Sequence, residues 1–189
     1  MCISQSREKI YNHFHDSQKC QDFFFASENE ERYSGYYTSM YLIQDTHEGI
    51  AAHREKGFSK DPLIAYIEFW GVMQAVFIQQ DAISELYQSV TDCPLESTLL
   101  KKWQELRTLR NLCAGHPARK DRPKKHPLSR TFLGRGFGGY KKFKYEKWEA
   151  PDNISHPQVN LEELISAYEQ EATEVLDLIH GHLKKKWPK

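Results

Sequence analysis

LLKKWQELRTLRNLCAGHP, residues Leu99 to Pro117, has the spacing of a helix followed by a stop. At 100° per residue, Leu99, Trp103, Leu106 and Cys113 fall within about 80° of one another and make one apolar stripe. Arg110 lies in the middle of that stripe. A guanidinium on the face that a helix buries is costly unless something pairs with it. Asn111 follows directly, and Gly115-His116-Pro117 then ends the helix. Glycine suits a left-handed C-terminal position, and proline biases the residue before it away from helix. His116 is thereby released from helical phase and is free to swing back towards Arg110.

The chain of 189 residues is the length of one domain, or of one domain with an elaborated insert. With 39% hydrophobic and 13% aromatic residues, it has enough apolar mass for a core. No apolar run reads as long enough to span a bilayer, and MCISQSREKI lacks a signal-peptide core. Cys2, Cys20, Cys93 and Cys113 are scattered without CxxC pairing. They read as free thiols of a cytoplasmic protein. The net charge of zero conceals a separation. Arg119 to Lys147 holds 11 Lys/Arg against 2 Asp/Glu, a net of +9, and the remainder holds 15 against 24, a net of −9. Positive charge concentrated in one short segment implies an anionic partner there.

In chain order, a first helix is expected from about Ile3 to Phe25. His13, His15 and Cys20 lie in it without a second ligand pair at zinc-like spacing, so no metal site is expected. A second helix, Glu28 to Lys56, carries Tyr33, Tyr36, Tyr37 and Tyr41 at helical spacing, which reads as packing rather than as a stacking platform. Gly57 fits its C-cap. Asp61-Pro62 is a strong helix start. The helix after it is apolar nearly all round from Leu63 to Ile78, which places it in the middle of a bundle. Gln79, Gln80 and Asp81 then interrupt it. Either the helix emerges into solvent there, or Gln80 or Asp81 reaches the buried Arg110.

RKDRPKKHP, residues 119–127, reads as loop. LSRTFLGRGFGGYKKFKYEKW reads as a β-hairpin with strands near Arg130–Leu133 and Lys141–Trp148. GRGFGG neither follows a strand nor opens a helix, so it is not a dinucleotide loop. Pro151 to Pro157 reads as a linker. Leu161 to Leu183 traces a clean amphipathic helix ending in a basic tail. The expected fold is all-α: an up-and-down helical bundle as a single domain over residues 1–189, with residues 118–157 a basic loop and hairpin insert before the last helix.

Arg110-Asn111-Leu112-Cys113-Ala114-Gly115-His116 resembles the R-x(4–6)-H motif of HEPN domains, in which a polar residue often follows the arginine. GVMQAVFIQQDAI, Gly71 to Ile83, one helix earlier, is also similar to bacterial HEPN-type proteins. The resemblance covers about Asp61 to Pro117. It implies a HEPN-type bundle that forms a homodimer with the two motifs facing each other. In many members it implies metal-independent RNA cleavage without a cofactor, often as a toxin or defence effector paired with a nucleotidyltransferase-type antitoxin. Other members are non-catalytic modules that bind a nucleotide, RNA or protein partner. Toxin members often carry a tyrosine two residues after the histidine, where this chain has Ala118.

The residue types fit that chemistry. His116 titrates near neutrality and can take or give a proton. Arg110 offers a permanently charged fork to phosphate oxygens. Asn111 can orient the phosphate or the 2′-OH. Arg110, Asn111 and His116 are thus the expected catalytic residues. Gln80 and Asp81 are expected to support them, with Glu85 another group able to orient the arginine. Arg107, Arg119, Lys120, Lys124, Arg130, Arg135, Lys141 and Lys142 are the expected RNA or nucleotide contacts. Phe137, Tyr140, Phe143 and Tyr145 either stack on unpaired bases or pack the hairpin on the bundle.

Overall fold

Six helices carry the chain in a computed structural model that describes residues 2–115, 129–149 and 153–189. They are α1 (Ile3–Asp16), α2 (Gln18–Phe25), α3 (Glu30–Lys56), α4 (Pro62–Thr91), α5 (Lys101–Arg110) and α6 (Leu161–Lys186). The fold is predominantly helical with a small sheet region before α6, as the hydrophobic periodicity predicts. The expected first helix is two. The chain turns at Ser17, whose side chain accepts from the Cys20 N–H and so caps α2. His13 is engaged elsewhere in the bundle, with Nε2 2.9 Å from the Trp187 carbonyl oxygen.

α3 and α4 lie along each other as a helical hairpin. Gly57 ends α3 with φ +74, which L side chains rarely adopt. The Asp61 carboxylate then accepts from the N–H groups of Leu63 and Ile64 to start α4, with Pro62 in the first turn. α6 packs on α1, α4 and α5, and its buried stripe includes Leu164, Tyr168, Leu176 and Ile179. Across this junction the Glu171 carboxylate accepts from the backbone N–H groups of Lys102 (3.0 Å) and Trp103 (2.8 Å). A side chain of α6 thus caps the start of α5, whose own N-cap residue, Leu100, cannot. Leu99 is 75% exposed and lies before α5 in a 3-10 turn, so it does not share the buried face.

α4 departs from the sequence reading in two ways. Its first half presents apolar side chains outwards, with Leu63 60%, Ile67 63% and Trp70 40% exposed, so it is not enclosed on all sides. By length and composition it is also the one helix among the described residues apolar enough to cross a bilayer, which corrects the reading that no such run exists. Further along, Gln79 and Gln80 are buried rather than emerging into solvent. Gln79 accepts from the Tyr168 hydroxyl and donates to Thr46, joining α3, α4 and α6. Gln80 donates to the Trp103 carbonyl of α5 at 3.0 Å. These bonds offset the cost of burying the Gln79 amide and the NH2 of Gln80, while Gln80 Oε1 is buried without a partner among the described residues.

The insert is more than a hairpin. β1 (Ser129–Phe132), β3 (Glu146–Glu149) and β4 (Asn153–Ser155) form an antiparallel sheet in the order β1-β3-β4. β2 (Phe143–Lys144) pairs antiparallel with β5 (Gln158–Val159). Part of the stretch read as a linker is therefore strand. Phe137 and Phe143 are buried, and the Phe143 ring stacks on Phe69 of α4 with centroids 4.7 Å apart. The Tyr140 carbonyl accepts from the Glu162 N–H at the start of α6. Bundle and insert share one core.

Candidate functional site

α5 changes winding where the expected motif begins. Regular helix ends at Arg110, and Asn111 to Gly115 continue as a π-type turn. Such turns are frequent at functional sites because they re-aim side chains and free backbone groups. Here the Leu112 carbonyl accepts from the Thr131 hydroxyl, which ties β1 of the basic insert to the turn. Cys113 points into the core, and burial pushes its thiol up to about 12, so it is an inert packing group.

Arg110 is half-buried at the edge of this turn rather than sunk in the core. Its Nη2 donates to Gln74 Oε1 at 2.9 Å and its Nη1 to Asn111 Oδ1 at 3.1 Å. Its guanidinium carbon lies 4.3 Å from the centre of the Phe77 ring. Arg107 lies 4.2 Å from the same ring. Two cations thus share one aromatic ring, at a separation where cation–π attraction is significant. Their counterions differ. Arg107 Nη2 donates to Asp81 Oδ1 at 2.7 Å, whereas among the described residues no carboxylate bonds Arg110. The expectation that Asp81 or Gln80 reaches Arg110 is therefore corrected. Asp81, on the outer face of α4, serves Arg107, and Gln80, on the inner face, serves the Trp103 backbone.

Gly115 closes against the arginine. A Cβ at this position would stand 2.8 Å from Arg110 Nη1, so only glycine leaves the guanidinium in place. The next residue in the chain is His116. His116, Arg119, Lys120 and Lys124 lie outside the described residues.

Of the remaining expected contacts, Arg130, Arg135, Lys141 and Lys142 are exposed on the insert. The aromatic expectation resolves towards packing for Phe137 and Phe143, which are in the core. Tyr140 also faces the bundle: its hydroxyl oxygen is 2.6 Å from His53 Nδ1, and its ring stacks on Phe58. The insert's exposed aromatics are instead Phe132 (57%) and Trp148 (51%). In the β1–β3 register Arg130 is opposite Trp148, and Phe132 is opposite Glu146. Residues two apart share a face, so Arg130, Phe132, Trp148 and Glu146 lie on one side of the sheet, where the Trp148 indole N–H donates to the Glu146 carboxylate. Sequence reasoning missed this pair, and it missed Gln74 and Phe77. The signal for the latter two was present: Gln74, Phe77 and Asp81 recur at helical spacing on α4 and face the arginines of α5.

No family model, curated protein or solved structure matches the chain.

Proposed function

We propose that this protein is a HEPN-type endoribonuclease that works without a metal ion and acts as a homodimer. The observation that carries the reading is the state of Arg110. Its guanidinium is held in place by two neutral oxygens and an aromatic ring, with no carboxylate among the described residues to cancel its charge. A fixed, charged fork of this kind suits the phosphorane that forms when a 2′-OH attacks the adjacent phosphate. An arginine serving the fold alone would be expected to take Asp81, the carboxylate within reach of its neighbour.

In this reading His116 moves the proton, either from the 2′-OH or to the leaving 5′-oxygen. Two copies brought together supply both roles. Asn111 steadies the arginine and orients the phosphate. The exposed stripe of Leu63, Ile67 and Trp70 runs along α4 towards Gln74 and Phe77, so copies meeting on that stripe bring their Arg110 sites near each other. The Arg130–Phe132–Trp148 face supplies phosphate contact and base stacking for unpaired RNA.

The test is incubation of the purified protein with single-stranded RNA and mixed tRNA in EDTA, beside Arg110→Ala and His116→Ala proteins of wild-type circular dichroism. Cleavage by the wild type alone supports the reading. Cleavage that survives in both variants rejects the site.

A further inference from the structure

The tyrosine-rich helix α3 lines a cleft that does not include Arg110. Between α1 and α3 lies a cleft of about 470 Å³, within the range of small-molecule sites. Tyr11, Phe25, Tyr33, Tyr37 and Tyr41 stand around it, and Phe14, Tyr36 and Met40 form its inner wall. Tyr11, Tyr37 and Tyr41 are each about half exposed, so ring faces are open to a ligand.

Of two polar groups at this cleft, the Tyr36 hydroxyl is shut off beneath the wall and the Arg7 guanidinium has capacity to spare. The Tyr36 side chain is 4% exposed, and its hydroxyl has no hydrogen-bond partner. Burial raises its pKa, so the group is a protonated donor at any physiological pH. Arg7 donates Nε to the Met40 carbonyl at 2.7 Å, which fixes the guanidinium against α3. Among the described residues neither Nη of Arg7 has a partner. The lining includes Arg7 and His15 but no carboxylate, so the cleft is matched to negative charge rather than to a quaternary ammonium.

We infer that this cleft binds a planar aromatic anion, a flat ring carrying a phosphate or carboxylate. The ring lies among the tyrosines, and Arg7 takes the anionic group. This inference does not rest on the ribonuclease reading.

Two ligand sources share that chemistry, and titration calorimetry with saturation-transfer NMR separates them. One arm uses the four ribonucleoside 5′-monophosphates, and the other uses indole-3-carboxylate, both on the full chain. Saturable binding in either arm is expected, and that arm names the source. Affinity is expected to fall about tenfold in Arg7→Gln and about threefold in Tyr37→Ala. Tyr37→Ala trims a half-exposed ring and so keeps the fold. Arg110→Ala is expected to leave the Arg7-dependent binding unchanged. No saturable binding in either arm, wild-type affinity in both cleft variants, or loss of the Arg7-dependent binding in Arg110→Ala overturns the inference.

Discussion

Asp81 pairs with Arg107 and leaves Arg110, one turn further along α5, without a carboxylate among the described residues. Both arginines lie over Phe77, but among the described residues only Arg107 meets a carboxylate, and the proposed function depends on that difference. The pair itself is partly exposed and contributes at most about 1 kcal/mol. Asp81→Asn is therefore expected to shift thermal unfolding only slightly and to preserve RNA cleavage. Gln74→Ala, which removes the hydrogen bond from α4 to Arg110, is expected to lower kcat about tenfold with little change in melting temperature. Steady-state kinetics on a labelled RNA, read beside melting curves, separates the two effects.

Gly115→Ala tests the same guanidinium from the other side. The added Cβ would meet the end of a flexible side chain, so the arginine moves rather than the backbone. Stability within about 1 kcal/mol of wild type is expected, because Gly to Ala is favourable in helical backbone. Cleavage is expected to fall about tenfold or more, since a misplaced catalytic group costs rate steeply. Full activity in the Gly115→Ala protein would show that Arg110 does not need this position.

Local signals made much of the helical frame readable. Gly57, Asp61 and Pro62 act on their own neighbours, and each sits where the sequence places it. The Leu161–Leu183 stripe was equally plain, because one face of one helix carries it. What could not be read depends on contacts far apart in the chain. The cap of α5 comes from Glu171, and the partners of Gln79 are on α3 and α6. The pairing of Asp81 with Arg107 rather than Arg110 is set by how α5 lies across α4. Strand β4 is three residues long and exists only by pairing with β3. At the site, Arg110 and Asn111 were legible as a motif, whereas Gln74 and Phe77 emerge only once two helices are packed.

The insert is clamped through Tyr140 and His53. Tyr140→Phe removes their hydrogen bond and leaves the ring stacked on Phe58. A loss of about 1–2 kcal/mol is expected, with faster amide exchange around residues 137–145. Denaturant unfolding and hydrogen exchange by mass spectrometry measure the two. No change in either would mean that the core phenylalanines alone hold the insert.

The α4 stripe carries the dimer prediction. Ile67→Glu places a charge among the exposed apolar groups of the stripe, at a side chain that is itself 63% exposed. It is expected to leave the fold intact and to weaken association by about 2 kcal/mol or more. Light scattering after size exclusion reads this directly: a dimer in wild type and a monomer in the variant. A wild-type protein that is monomeric at high concentration would reject the interface.

Acid sensitivity follows from His180. Burial first, then the charges of His13, Lys184 and Lys9, hold its imidazole below the ordinary value of 6.5, against the opposing pull of Asp177. The unfolded chain therefore takes up this proton at higher pH than the folded one. Stability from neutral His180 is full above the unfolded value and is lost as pH falls from there through the lower folded value. Melting temperature is expected to drop between about pH 7 and 5, and His180→Gln is expected to flatten that slope. An unchanged slope in His180→Gln would assign the drop to other groups.

The central claim is tested most directly by the ends that cleavage leaves. A short single-stranded RNA cut by the wild-type protein in EDTA is predicted to yield a 2′,3′-cyclic phosphate and a 5′-hydroxyl, identified by mass spectrometry. The same RNA with a single 2′-deoxy nucleotide at the cut position is predicted to stay intact, and both RNAs are predicted to survive Arg110→Ala and His116→Ala. Products with 5′-phosphate ends, cleavage of the 2′-deoxy substrate, or an RNA left whole by dimeric wild-type protein would contradict the account.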